Sequence, residues 1–315
     1  MTKAGFIPAF YLFANKDILI RVKYKGIKNM EQKEKNIHWF PGHMKKAGNE
    51  IEEKLKLVDF VIILLDARAP RSTYNKYLEK IIKNKTRLYI LNKIDLADDV
   101  YTKEWISKLK GENSYCLGSS LKNNAFLKEI NAQIENIINI KKEKYNKRGI
   151  VNFTSRALVI GIPNVGKSTF INFIAKKSLM GAQNTPGFTK KITWAKINKH
   201  FELLDTPGIL MPSFDDKISS IHLALIGAIK ETILPLDEII DYLLTFLKNN
   251  YFESFSKFYD ANLLKDDDNI ILLSKIATRR GLILSKERLD LSKAQILIFN
   301  DFKNGHIGKM TLERV

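Results

Sequence analysis

Eight consecutive residues, Gly161-Ile-Pro-Asn-Val-Gly166-Lys167-Ser168, have the types and spacing of a loop built to hold phosphate. The glycines let backbone N–H groups wrap an anion, and a helix opening directly after the loop adds the partial positive charge of its first turn. On this reading Asn164, Val165, Gly166, Lys167, Ser168 and Thr169 line the phosphates. The Lys167 ammonium reaches the outer two, and the Ser168 hydroxyl ligates a Mg²⁺ ion between them. Such a loop does not by itself choose between adenine and guanine nucleotides.

Asn92-Lys93-Ile94-Asp95 makes that choice, because it follows the apolar run Leu88–Leu91 directly. The Asp95 carboxylate can accept both N–H donors on the N1 and N2 edge of guanine, a pair that adenine lacks. Lys93 can lay its stem across the base, and Asn92 can tie this loop to the phosphate loop. In isolation the tetrapeptide also fits a helix-capping Asp; beside a phosphate loop it selects GTP. Asp205-Thr206-Pro207-Gly208 follows the run Phe201–Leu204. Asp205 there can hold a Mg²⁺-bound water and the Gly208 N–H can sense the γ-phosphate, with a plain Asp-x-Pro-Gly turn as the competing reading. Between the two lies Asn184-Thr-Pro-Gly-Phe-Thr189, in which Thr189 is the expected switch threonine for the Mg²⁺ shell and Thr185 its competitor. Ser119 and Ser120 follow the strand ending at Leu117, where a short loop would back the guanine; an N-cap role competes for either.

The order of these groups is the usual GTPase series cut after Asp-x-x-Gly and rejoined. A doubly wound sheet tolerates that, since the site depends on which strands are neighbours in space. The permutation also joins the switch segment 205–213 directly to the C-terminal part of the chain, so loss of the γ-phosphate can move that part through a covalent link.

Elements must place these loops. Val58–Leu65, Arg87–Leu91, Ser114–Leu117 and Arg156–Ile160 read as buried strands, and Asn75–Lys83, Val100–Lys110 and Ala125–Ile140 as the helices between them. Lys141–Gly149, basic and polar, reads as a connector. Gly166–Lys176 reads as a helix, and Lys191–Ile197 with Phe201–Leu204 as a hairpin turning at Asn198–Lys199. Beyond Pro212, Ile221, Leu225, Ile229 and Ile233 recur at helical spacing. So do Ile240, Leu243, Leu244 and Leu247, with Asp237 as N-cap. The expected fold is thus α/β: a circularly permuted P-loop GTPase domain over 37–212, with a doubly wound, mostly parallel sheet, and an all-α domain over 213–315. Residues 1–36 form an N-terminal extension, disordered or a translated segment upstream of a start at Met30. A targeting peptide is the alternative, but a clear small-x-small cleavage site is missing.

The 315 residues carry a formal charge of +18, which predicts attraction to a polyanion. No apolar run approaches the length of a membrane span. One cysteine, Cys116, excludes a disulfide framework and a four-cysteine zinc site and suits a reducing cytoplasm. Arg279-Arg280-Gly281, with Lys275, Lys286, Arg288 and Lys293 nearby, is the densest basic group, and its expected partner is RNA phosphate.

These residues together resemble the circularly permuted ribosome-assembly GTPases of the YlqF/RbgA family. The likeness spans about residues 37 to 315 and includes His38-Trp-Phe-Pro-Gly-His43-Met44 and Asp66-Ala-Arg68-Ala-Pro70. It implies a bacterial GTPase, a monomer, that binds the precursor of the large ribosomal subunit, its RNA and proteins, and hydrolyses GTP to GDP when maturation licenses release. The rivals are a permuted GTPase of the small subunit, a mitochondrial or other organelle homologue, and a non-hydrolysing scaffold. The resemblance further implies a catalytic role for His43, because Ile209 stands where a Ras-like enzyme places its water-orienting glutamine. Asn164 resembles the asparagine that ligates K⁺ in potassium-stimulated GTPases.

Overall fold

Strand β1 (Phe60–Asp66) has all seven of its residues buried, the pattern of a strand covered on both faces. In the computed structural model it lies between β2 (Thr86–Asn92) and β4 (Ser155–Ile160), parallel to each. β3 (Ser114–Ser119) extends the sheet beyond β2, and β6 (Phe201–Asp205) beyond β4, both parallel. β5 (Thr193–Asn198) closes that edge antiparallel to β6. The order β3-β2-β1-β4-β6-β5 runs outward from β1 in one direction and from β4 in the other. The crevice beyond the carboxyl ends of β1 and β4 is therefore the topological switch point, where such sheets bind ligands.

The structure describes residues 49, 51–74, 79, 81–82, 85–147, 149, 153–175, 193–205, 216–229, 235–284 and 288–315, all within the unit His38–Val315. The single turn α1 (Pro70–Thr73) follows β1. α2 (Asp99–Leu109) is capped by the Asp98 carboxylate, which accepts from the Val100 and Tyr101 N–H groups. α4 (Lys167–Ala175) opens straight from the phosphate loop. Most of the expected helix 75–83 lies outside the described residues.

α3 runs from Ala125 to Asn146, so the supposed connector at Lys141–Gly149 is mostly helix. Its lysines and glutamate are good helix formers, and Tyr145 gives the last turn an apolar contact by stacking on Phe153 at 4.4 Å. The helix starting at Lys217, α5 (Lys217–Leu225), stops at Ile226, so Ile229 is buried but not helical. Gly227 ends it with φ +74°, and a side chain there would meet the Lys303 stem at 2.8 Å. α6 (Leu236–Asn250) has Pro235 at its N-cap; Asp237 sits in the first turn with Glu238, where the helix dipole favours acids. The hairpin turn falls at Lys199–His200, one residue later than expected.

α7 (Phe252–Tyr259), α8 (Asn269–Arg279) and α9 (Leu291–Asn304) complete the helical part. One apolar cluster runs from Phe60, Leu88 and Val159 of the sheet to Leu243, Ile276 and Ile298 of these helices. After α9 the chain returns to the sheet as a strap. Met310 N donates to Leu96 O at 3.0 Å and Leu312 N to Arg68 O at 2.8 Å. The Glu313 carboxylate accepts from Arg71 N at 2.6 Å and touches His222 Nδ1 at 2.9 Å, while its carbonyl accepts from the Trp105 indole at 3.2 Å. Among the described residues, no helix is long and apolar enough to cross a membrane.

Candidate nucleotide site

The register aligns the ends of three strands: Asp66 lies opposite Asn92, and Asn92 opposite Ser119. Loops leaving β1, β2 and β3 therefore emerge side by side, next to the phosphate loop that leaves β4. Asn92 stitches them together. Its Nδ2 donates to Val165 O at 2.8 Å, and its Oδ1 accepts from Leu121 N at 3.4 Å. Gly166 sits against this amide with φ +108°, and a Cβ there would lie 2.6 Å from Asn92 Nδ2. Glycine is required at that position both for its backbone angle and for the close approach.

Lys93 takes the left-handed conformation, φ 64°, which turns its side chain along the loop mouth. Its Nζ donates to Asn164 O at 3.2 Å and pairs with Asp66 Oδ2 at 2.9 Å. Asp95 is exposed and pairs with Lys122 at 3.6 Å. Lys167 is only 8% exposed, and its ammonium donates to Ile162 O at 3.1 Å inside the loop. Ser168 and Thr169 are exposed on the first turn of α4, where backbone N–H groups point outward. Asn164, also left-handed, donates through Nδ2 to Gly227 O at 3.0 Å. Ser119 is fully buried and its carbonyl accepts from Ile94 N at 3.3 Å, holding the guanine-type loop against β3. Ser120 is buried beside it. Neither serine caps α3, whose N-cap is Asn124.

Asp205 ends β6 opposite Val159 of β4, which brings its backbone to the same end of the sheet as the phosphate loop. His43, Thr185, Thr189, Gly208 and Ile209 lie outside the described residues. So do residues 1–36 and the switch segment beyond Asp205. A Mg²⁺ ion fits what is described: the exposed Ser168 hydroxyl and the end of β6 flank the loop, and Mg²⁺ takes few protein ligands besides phosphate oxygens and water.

Asp66 and Arg68 have no role that the sequence alone reveals. Asp66 Oδ1 accepts from Arg68 N at 3.1 Å and Arg68 Nε at 2.9 Å, and Oδ2 from Arg68 Nη2 at 2.9 Å, in addition to Lys93. Burial alone would push this carboxyl's pKa up. The charges and hydrogen bonds of Arg68, then of Lys93, outweigh burial and hold it down at about 2. A depressed carboxylate contributes stability that is full above its ordinary value near 4 and lost as pH falls through about 2. The stability gap between wild type and Asp66→Asn, measured by denaturant titration, should therefore stay constant above about pH 4 and shrink below it. The signal available in the sequence was an Asp and an Arg two residues apart at the end of a wholly apolar strand.

The basic group around the C-terminus of α8 and the start of α9 is partly neutralised. Arg279 pairs with Asp260 at 2.6 Å, Lys275 with Asp267 at 2.6 Å and Lys293 with Asp290 at 3.2 Å. Arg280 lies over the Phe258 and Tyr259 rings, with 5.4 Å and 5.5 Å to their centroids. Arg279, Arg280 and Arg288 are exposed; Lys286 lies outside the described residues.

A phosphate loop between β4 and α4, with an Asn-Lys-x-Asp loop bound to it from two strands earlier in the chain, defines a circularly permuted P-loop GTPase. Comparison with known proteins makes this specific. The family described as "50S ribosome-binding GTPase" matches residues 156–275. "Ribosome biogenesis GTPase A" of Bacillus cereus is 41% identical over 277 residues, covering 88% of this chain and 93% of the relative. The protein of the same name from Bacillus pumilus is 40% identical over 278 residues, covering 88% and 98%. The crystal structure of GNP-bound YlqF from T. maritima superposes with a TM-score of 0.55 at 26% identity, covering 85% of this chain and 98% of that one. The chain belongs to the ribosome biogenesis GTPase A family, and it is a GTP-binding hydrolase of ribosome assembly.

Proposed function

We propose that this GTPase acts on the precursor of the large ribosomal subunit, binding its RNA through the helical part and hydrolysing GTP when the particle stimulates it. The observation that carries the reading is the Asn92 bridge between the phosphate loop and the guanine-type loop, in a chain whose matching family is described as 50S ribosome-binding. In this reading Asp95 accepts from the guanine edge, Lys93 covers the base, and Ser119 and Ser120 back it. Val165, Gly166 and Thr169 contribute backbone N–H groups to the phosphates, and Lys167 neutralises the outer pair. Mg²⁺, held by Ser168, Thr189 and the water on Asp205, supplies charge neutralisation. Gly208 senses the γ-phosphate. His43 orients the attacking water in place of the glutamine that Ile209 replaces. Asn164 keeps Oδ1 available for K⁺ while its Nδ2 is bound to Gly227. The switch 205–213 moves the helical domain 213–315 when the γ-phosphate leaves. The protein works as a cytoplasmic monomer.

Arg279→Glu with Arg280→Glu tests the RNA part. Co-sedimentation with purified large subunits should weaken at least tenfold, and the plot of log affinity against log salt should flatten by roughly 1 for each phosphate no longer neutralised. Unchanged co-sedimentation and slope would remove this surface from the proposal.

A further inference from the structure

Asp66 is approached by cations from two sides of the molecule. On one side is Lys93 of the guanine-type loop, 25% exposed; on the other is Arg68, 3% exposed. Arg68 does not end there. Its Nη1 donates to Lys303 O at 2.8 Å, in the last turn of α9, and its Nη2 to Ile226 O at 3.1 Å, the C-cap residue of α5. Carbonyls at helix ends lack intrahelical partners and carry partial negative charge, so a guanidinium is the fitting donor. One planar group thus satisfies a strand-end carboxylate and two helix ends at once, which a lysine ammonium at the same place could not span.

The same segment has a second tie to the nucleotide loops. Gly227, next to Ile226, accepts the Asn164 amide of the phosphate loop, and Gly227 packs against the Lys303 stem. The end of α5 therefore meets the phosphate loop directly through Gly227, and the ends of both helices reach the guanine-type loop through Arg68, Asp66 and Lys93. Buried arrangements of this kind hold two discrete geometries rather than deforming continuously.

We propose that Asp66 and Arg68 are positioning residues that couple guanine binding to the seating of α5 and α9, through the path Lys93–Asp66–Arg68–helix carbonyls. This rests on the reading of Lys93 as the residue that covers the base. With the helices seated, Arg68 holds the Asp66 carboxylate, and that carboxylate holds the Lys93 stem along the loop mouth. Without the guanidinium fork, the Asp66 carboxylate is no longer held on both oxygens and draws the Lys93 ammonium off Asn164, away from the base position. By linkage, guanine nucleotide that engages Lys93 must tighten the helix contacts by the same factor that the contacts tighten nucleotide. Coupling of this type is commonly about 5- to 150-fold.

The test is a double-mutant cycle on the full chain with fluorescently labelled GDP as probe, together with hydrogen exchange of the helix ends. Arg68→Lys should weaken GDP about tenfold in the presence of Lys93 and less than about twofold when combined with Lys93→Ala. Asp66→Asn should behave in the same way. GDP should raise the exchange protection of peptides containing Gly227–Ile229 and Gly305–His306 in the wild type but not in Arg68→Lys at saturating GDP. Equal losses with and without Lys93→Ala, or exchange at those ends that ignores GDP in the wild type, would overturn the coupling while leaving Lys93 as a base contact. Wild-type GDP affinity in Lys93→Ala would overturn it together with that base contact. If Arg68→Lys does not fold, exchange of the wild type with and without GDP decides the matter.

Discussion

Replacing Lys167 with alanine is expected to lower GTP turnover by roughly 10²–10³-fold, the usual cost of losing one preorganised group aimed at developing charge. The ammonium is nearly buried and pinned to Ile162 O, so it does not need to be ordered when phosphate arrives. Its charge acts in a partly desolvated loop, where electrostatic interactions are stronger than in water. The side chain lies in the loop and not in the apolar core, so thermal stability should change far less than turnover. Single-turnover hydrolysis with saturating GTP measures this directly. Full turnover in Lys167→Ala would remove the phosphate loop from the chemistry.

The second large effect is a change of base. Asp95→Asn swaps one acceptor oxygen for an N–H donor, so the guanine 2-amino group faces another donor. Xanthine carries a carbonyl at that position and accepts from the new amide. Hydrogen bonds to charged groups contribute about 1.5–3 kcal/mol each and neutral ones about 1, so losing one and reducing the other to a neutral bond should weaken GDP by roughly 10²–10³-fold while xanthosine diphosphate gains. Competition between the two nucleotides reads the outcome. Asp95 is exposed and paired only loosely with Lys122, so its replacement should leave the fold intact. A variant that still prefers GDP would mean that the Asn-Lys-x-Asp loop does not read the base.

The motifs of the nucleotide site were legible because phosphate and guanine dictate residue types at fixed, short spacing. Gly166 before Lys167 and Asn92 before Lys93 are local statements. The parallel sheet was legible for a similar reason: Phe60–Leu65 and Leu88–Leu91 are continuous apolar runs, as strands buried on both faces must be. What could not be read was the long-range closure. Arg68 meets Lys303 across 235 positions, and Glu313 meets Arg71 across 242. No periodicity connects such pairs; only the folded path of α9 and of the strap after it does. The end of α3 was missed for the opposite reason. Its last turns are polar enough to look like a loop, and their partners, Phe153 and Asp59, come from other parts of the chain. The basic group around the C-terminus of α8 and the start of α9 was visible as charge, but Asp260, Asp267 and Asp290, which partly neutralise it, were not read with it.

The large subunit is proposed to switch this permuted site on. The direct measurement is the GTP hydrolysis rate of the purified protein alone, with purified large subunits and with purified small subunits, in the presence of Mg²⁺. Slow hydrolysis is expected for the protein alone, with a rise of at least tenfold with large subunits and no rise with small ones. His43→Ala should bind GTP normally and lose that rise. Equal rates in all three mixtures, or stimulation by small subunits alone, would contradict the proposed switch.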